Sequence, residues 1–162
     1  MNLYIIRHAQ THFSKFDVLY EEHIETAEIL PEGIPVIKRL AAYLKDIKTD
    51  KNFTSPYLRC RQTVEIISKE TGKQFDVDQR LHDYNRYTES VSGMVERVKI
   101  FLKEAEQKNY QNIAVCTHGY PISVLIQLAT RGFVSEVELD SYPKTGVLTI
   151  IKGGKAEFID FN

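Results

Sequence analysis

The chain has 162 residues, 43% of them apolar, with 21 Lys and Arg set against 22 Asp and Glu. That length fits one domain spanning 1–162, which buries roughly 70% of its unfolded-chain surface without staples. The balanced charge offers no global field for nucleic acid or an anionic membrane, and two cysteines, Cys60 and Cys116, make neither a disulfide framework nor a zinc site.

The N-terminal run Leu3-Tyr4-Ile5-Ile6 reads as a strand buried on both faces. It is too short for a signal-peptide core, and Arg7 cuts it. With no stretch approaching the ~20 apolar residues of a membrane span, a soluble cytoplasmic protein is expected. Residues 10–33 are polar and irregular, and carry Asp17, Glu21, Glu22, Glu25 and Glu28. These acids form either a solvated face or a lid that repels very anionic substrates. Pro35 is expected to open a helix whose buried stripe is Ile37, Leu40, Ala41, Leu44 and Ile47. Asn52-Phe53-Thr54 predicts a second strand. Ser55 and Pro56 are then expected as N-cap and first residue of a helix running to Gly72, with Cys60, Val64 and Ile67 inside.

Residues 74–77 suggest a third strand and 78–88 an irregular connection. Val91, Met94, Val95, Val98, Leu102 and Ala105 mark a helix from about Ser90 to Lys108. Residues 112–116 predict a fourth strand. A helix with Pro121 at its start and Gly132 beyond its end follows, and then a hairpin turns at Gly153-Gly154. Strands alternating with helices predict an α/β fold with helices on both faces of a mostly parallel sheet. The two cysteines fall among apolar residues and read as buried structural thiols.

Ligands of open α/β sheets bind beyond the carboxyl ends of the strands. Arg7-His8-Ala9-Gln10-Thr11 follows the first strand, Ser55-Pro56-Tyr57-Leu58-Arg59 the second, and Thr117-His118-Gly119 the fourth. The last two lie at helix starts, whose free amides and partial positive charge suit an anion. Arg59 in a first helical turn opposes the helix dipole, a conflict that a bound anion removes. Two imidazoles and two guanidiniums converging there describe a site for a tetrahedral oxyanion such as phosphate.

These segments resemble the histidine phosphatase, or phosphoglycerate mutase-like, superfamily. Its first motif, Arg-His-Gly followed by Glu-Thr, is matched at Arg7, His8 and Thr11, with Ala9 in place of Gly. Ser55, Pro56, Arg59 and Thr63 match its Ser-Pro-Leu-x-Arg-Ala-x-x-Thr motif, and His118-Gly119 matches its second histidine. Weaker likenesses are Ile29–Gly33, and Glu89-Ser90 with Arg97. Ser14 stands where many members have a phosphate-touching Asn, and the family's Gly-x-Trp-Glu-Gly run is missing.

The resemblance implies a three-layer α/β/α sandwich with a mostly parallel mixed sheet. It implies a metal-independent phosphatase without cofactor, acting on a small phosphorylated metabolite or a phosphoprotein. His8 would be the nucleophile, forming a phosphohistidine intermediate. Arg7, Arg59 and His118 would hold the phosphoryl oxygens, with Thr11 and Ser14 beside them. The proton donor falls at Asp83, one methylene shorter than the family's Glu, with Glu89 and His82 as alternatives. The short segment after the acid resembles the compact phosphatase branch. A mutase, or a non-catalytic phosphate- or phosphoprotein-binding module, are the alternatives. Residues 10–30 and 84–92 should line the mouth, where Tyr84, Tyr87, Tyr120 and His82 are candidates to pack against the leaving group.

Overall fold

The computed structural model describes residues 1–162 of the chain. Six strands form one sheet: β1 (Asn2–Arg7), β2 (Lys51–Thr54), β3 (Asp76–Val77), β4 (Asn112–Thr117), β5 (Val147–Lys152) and β6 (Lys155–Asp160). Their order is β3-β2-β4-β1-β5-β6. The first four in that order run parallel, whereas β5 pairs antiparallel to β1 and β6 antiparallel to β5. The helices are α1 (His12–Phe16), α2 (Gly33–Leu44), α3 (Leu58–Thr71), α4 (Val91–Gln107) and α5 (Gly119–Arg131). No helix is long and apolar enough to cross a membrane.

Alternation along β1 divides the core. Leu3 and Ile5 join Ile113 and Val115 of β4 on one face, under Met94, Val98 and Phe101 of α4 and Ile122 and Leu125 of α5. Tyr4 and Ile6 join Ala114 and Cys116 on the other, under Ile37, Leu40 and Leu44 of α2 and Cys60, Val64 and Ile67 of α3. Because strand side chains alternate in direction, one continuous apolar strand feeds both layers. The expected α/β/α sandwich is observed. Both cysteines are buried and free.

Three local expectations are corrected. α2 begins at Gly33, so Pro35 is its third residue. An added Cβ at Gly33 would meet the Gln10 amide nitrogen at 3.1 Å, so this start must pack tightly against the segment after β1. α3 begins at Leu58 with Tyr57 as its extended N-cap, and not at Pro56. Ser55 does not serve as that cap, because its hydroxyl is engaged by a histidine of the site described below. The third strand shrinks to Asp76–Val77, an exposed edge pair beside β2. The closing hairpin forms as expected, with Gly153 and Gly154 both at positive φ.

Candidate active site

Strand register assembles the site. In the parallel β1–β4 ladder Arg7 lies opposite Thr117, so the residues that follow, His8 and His118, emerge side by side. Their ring centroids are 5.3 Å apart. Thr54 of β2 lies opposite Cys116, which brings Ser55 level with the same end. The Ser55 hydroxyl bonds His118 Nε2 at 2.7 Å and also accepts the Tyr57 amide at 3.3 Å. His118 is the N-cap residue of α5, which has no side-chain cap and therefore leaves its first amides without intrahelical partners.

His8 is 1% exposed. Its Nδ1 lies 2.8 Å from the Ala9 carbonyl oxygen, an acceptor only, so Nδ1 carries the proton and donates it. Nε2 is left with its lone pair. The Ala9 amide donates to Thr63 Oγ1 at 2.8 Å, and that hydroxyl donates to the Arg59 carbonyl at 2.6 Å, fixing the His8–Ala9 backbone on α3. Burial holds the His8 imidazole well below the usual histidine range, and the charges of Arg59 and Arg7 push the same way. His118 is lowered by burial, then by Arg59, His8 and Arg7. It is therefore a neutral ring beside Asp83, whose Oδ2 lies 3.7 Å from Nδ1, and the two are not an ion pair.

Asp83 sits against both the cations and the second imidazole. Burial raises its carboxyl above the usual range, while the neighbouring Arg59 opposes the rise. Oδ1 accepts the Tyr84 amide at 2.9 Å, and Oδ2 accepts Arg59 Nη2 at 2.8 Å. Arg59 is fully buried. Its Nη1 donates to the Ile24 carbonyl, and its guanidinium lies 4.0 Å from the Tyr20 ring centroid. Arg7 donates from Nη1 to the Pro143 carbonyl at 3.2 Å and lies 4.9 Å from the Tyr142 ring centroid. Buried Nε atoms of both arginines have no partner, although a buried guanidinium N–H is costly to leave unpaired. Two such donors beside two neutral imidazoles suit an oxyanion.

A cavity of about 370 Å³ opens onto this cluster. Arg7, His8, Ser14 and Asp83 are in its wall; Arg59 and His118, both fully buried, lie behind it. Thr11 is also fully buried, and its hydroxyl is engaged by Ser14 Oγ and Tyr20 Oη, at 3.2 and 2.8 Å. Thr11 and Ser14 form a reciprocal cap on α1. Glu89 is outside the cavity wall and is held by Arg97 through two hydrogen bonds of 2.6 and 2.9 Å. His82 is likewise outside, with Nδ1 on the Asp83 carbonyl at 2.7 Å. Of the two mouth segments, Val18, Leu19 and Tyr20 come from the first, and Tyr84 and Tyr87 from the second. No three His, Cys, Asp or Glu side chains converge as a metal site requires.

Sequence reasoning missed Tyr20, Tyr142 and the Ile24 carbonyl, which pack on the two arginines and carry no local signal. Ser55 and Thr63 lay within a matched motif, but their bonds to His118 and Ala9 are tertiary. The electrostatics can be checked by NMR of the imidazole Cε1–H groups. His8 and His118 are expected to keep neutral-ring shifts at pH 6 and to protonate only at lower pH; a midpoint at or above 6.5 for either contradicts the buried, cation-flanked description.

Comparison with known proteins places the fold and the family. A Hydrogenobacter thermophilus protein provisionally named phosphoserine phosphatase 2 is 24% identical, over 79% of this chain and 78% of that protein. The structure of the alpha-ribazole phosphatase from Shigella flexneri superposes with a TM-score of 0.78 at 18% identity, covering 99% of this chain and 95% of that one. The phosphoglycerate mutase from Bacillus anthracis superposes with a TM-score of 0.71 at 15% identity, covering 99% and 93%. One fold thus accommodates phosphatases and a mutase, and does not choose between them. The profile of the histidine phosphatase superfamily (branch 1) matches residues 3–88 and 82–158, and the chain belongs to that superfamily.

Proposed function

We propose that the protein is a phosphatase that hydrolyses phosphomonoesters through a phosphohistidine on His8, without a metal. The observation that carries this reading is the His8 ring. Its Nδ1 proton is committed to the Ala9 carbonyl, its pKa is depressed, and it lies in the wall of a cavity beside two guanidiniums. An imidazole kept neutral, with Nε2 unprotonated, is a competent nucleophile at and below neutral pH.

In the first step His8 Nε2 forms a bond to phosphorus as the bond to the ester oxygen breaks. Arg7, Arg59 and the neutral His118 stabilise the charge on the equatorial oxygens, the work that metal ions perform in other phosphoryl transfers. Arg59 reaches those oxygens by exchanging its Asp83 contact for the phosphate. Asp83, whose carboxyl burial raises above the usual range, is the group that gives a proton to the leaving oxygen. In the second step water attacks phosphorus and Asp83 takes the water proton. The N–P bond breaks, releasing phosphate and restoring neutral His8. Thr11 and Ser14 act here as the cap that positions the mouth, with Ser14 at its edge. The substrate is a small phosphorylated metabolite or a phosphorylated protein side chain, presented to a cavity of about 370 Å³.

A mutase would need its phosphorylated intermediate protected from water and a cation for the substrate carboxylate. The exposed Val18, Leu19 and Tyr87 at the cavity leave the site open, which favours hydrolysis.

Hydrolysis of p-nitrophenyl phosphate in excess EDTA tests the reading. Wild type is expected to retain its activity and His8→Ala to lose at least about a thousandfold in kcat/KM, as loss of a nucleophile requires. Activity abolished by EDTA, or retained by the variant, contradicts it. Asp83→Asn is expected to slow an alkyl phosphate about a hundredfold or more and p-nitrophenyl phosphate far less, because nitrophenolate leaves without a proton. Equal losses on both substrates remove Asp83 from the role of acid.

A further inference from the structure

The cavity wall beyond the phosphate cluster is aromatic and acidic. Phe13, Tyr20, Tyr84, Tyr87, Tyr120 and Tyr142 all contribute to it. Tyr84 meets Tyr120 edge-on at 5.6 Å between centroids, Tyr120 meets Tyr142 at 5.7 Å, and Phe13 stacks on Tyr20 at 4.7 Å. Three of the five tyrosine hydroxyls are already taken within the protein. Tyr20 bonds Thr11, Tyr87 donates to Glu21, and Tyr120 donates to Asp140. The rings therefore present apolar surface, and exposed Val18 and Leu19 extend it outward. A pocket near the small end of the ligand-site range fits one ring better than a long chain.

Charge completes the description. Apart from Arg7, the only cation in the wall is Arg86, and Glu21 holds it at 3.3 Å. Asp17 and Asp140 remain as exposed carboxylates with no cationic partner. Lys144, in the adjoining cleft beyond Arg7, is already paired with Asp160 at 2.9 Å. A substrate that carries a second anion on its alcohol would meet two carboxylates and no free cation.

We infer that the site takes phosphomonoesters whose alcohol bears an aromatic ring and no negative charge, and that Asp17 and Asp140 set this preference by excluding anions and favouring cations at the far side of the ring. The inference rests on the phosphatase reading for its phosphate anchor.

Binding of non-hydrolysable phosphonates to the wild-type protein separates the two. Benzylphosphonate, 4-(aminomethyl)benzylphosphonate and 4-carboxybenzylphosphonate share the anchor and the ring and differ only in distal charge. Calorimetry is expected to give the aminomethyl ligand the tightest Kd and the carboxy ligand the weakest, about tenfold apart, a separation that shrinks with added salt. The Asp17→Asn, Asp140→Asn double variant is expected to bring the ratio within about threefold. Asn keeps a hydrogen-bond acceptor for Tyr120 and tolerates the left-handed backbone at residue 17 (φ 52°). The inference is overturned if the three bind equally, if the carboxy ligand binds best, if the ratio survives in the double variant, or if propylphosphonate matches benzylphosphonate. Ordered binding with no hydrolysis of phenyl phosphate would instead overturn the phosphatase reading and uphold the specificity.

Discussion

The parallel pairing of β1 with β4 is the constraint on which the site depends. Arg7 opposite Thr117 sets His8 beside His118, and the pairing of β2 with β4 brings Ser55 to the same level. A slip of one residue would turn every strand side chain to the other face, dismantling both core layers at once. The register is therefore fixed by the apolar alternation of Leu3, Tyr4, Ile5 and Ile6, core residues that lie outside the cavity wall. The core and the chemistry are set by the same ladder.

Burial gives the residues at that strand end their properties. His8 and His118 are removed from water and flanked by guanidiniums, so both rings are held neutral. The same burial raises the Asp83 carboxyl against the pull of Arg59. An imidazole pushed down and a carboxyl pushed up are shifts in the directions that the proposed nucleophile and proton donor require. Their cost falls on the arginines, whose buried Nε donors have no partner within the protein. Asp83 already occupies Arg59 Nη2, so in the proposed mechanism a bound phosphate would take that donor from the carboxylate.

Much of this was legible in the sequence because it is local. Strand runs, helix stripes and the turn at Gly153-Gly154 follow from periodicity and backbone preference. Arg7, His8 and His118 stand at strand ends, Asp83 in the loop after β3 and Arg59 in the first turn of α3, where motif and topology point to the same place. What could not be read arises from contacts across long stretches of chain. Tyr20 stacks on Arg59, Tyr142 on Arg7, and Thr63 reaches back to the Ala9 amide. Ser55 illustrates the limit. Its identity and its place before Pro56 both suit a helix cap, yet the hydroxyl has a stronger claim in the buried His118 ring, and the helix starts later at Leu58. Asp140 reaches the cavity only through the loop between α5 and β5, for which spacing gives no signal.

The central claim is that His8 carries the phosphoryl group during turnover. Its most direct test is to mix the protein with a monoester substrate, quench with base within milliseconds, and map bound phosphate by mass spectrometry. Phosphohistidine survives base and is lost in acid, which separates it from phosphoserine. The account predicts an acid-labile phosphoryl group on the peptide containing His8, appearing before free phosphate accumulates at its steady rate. Turnover with no labelled histidine, or with the label on His118, would contradict it.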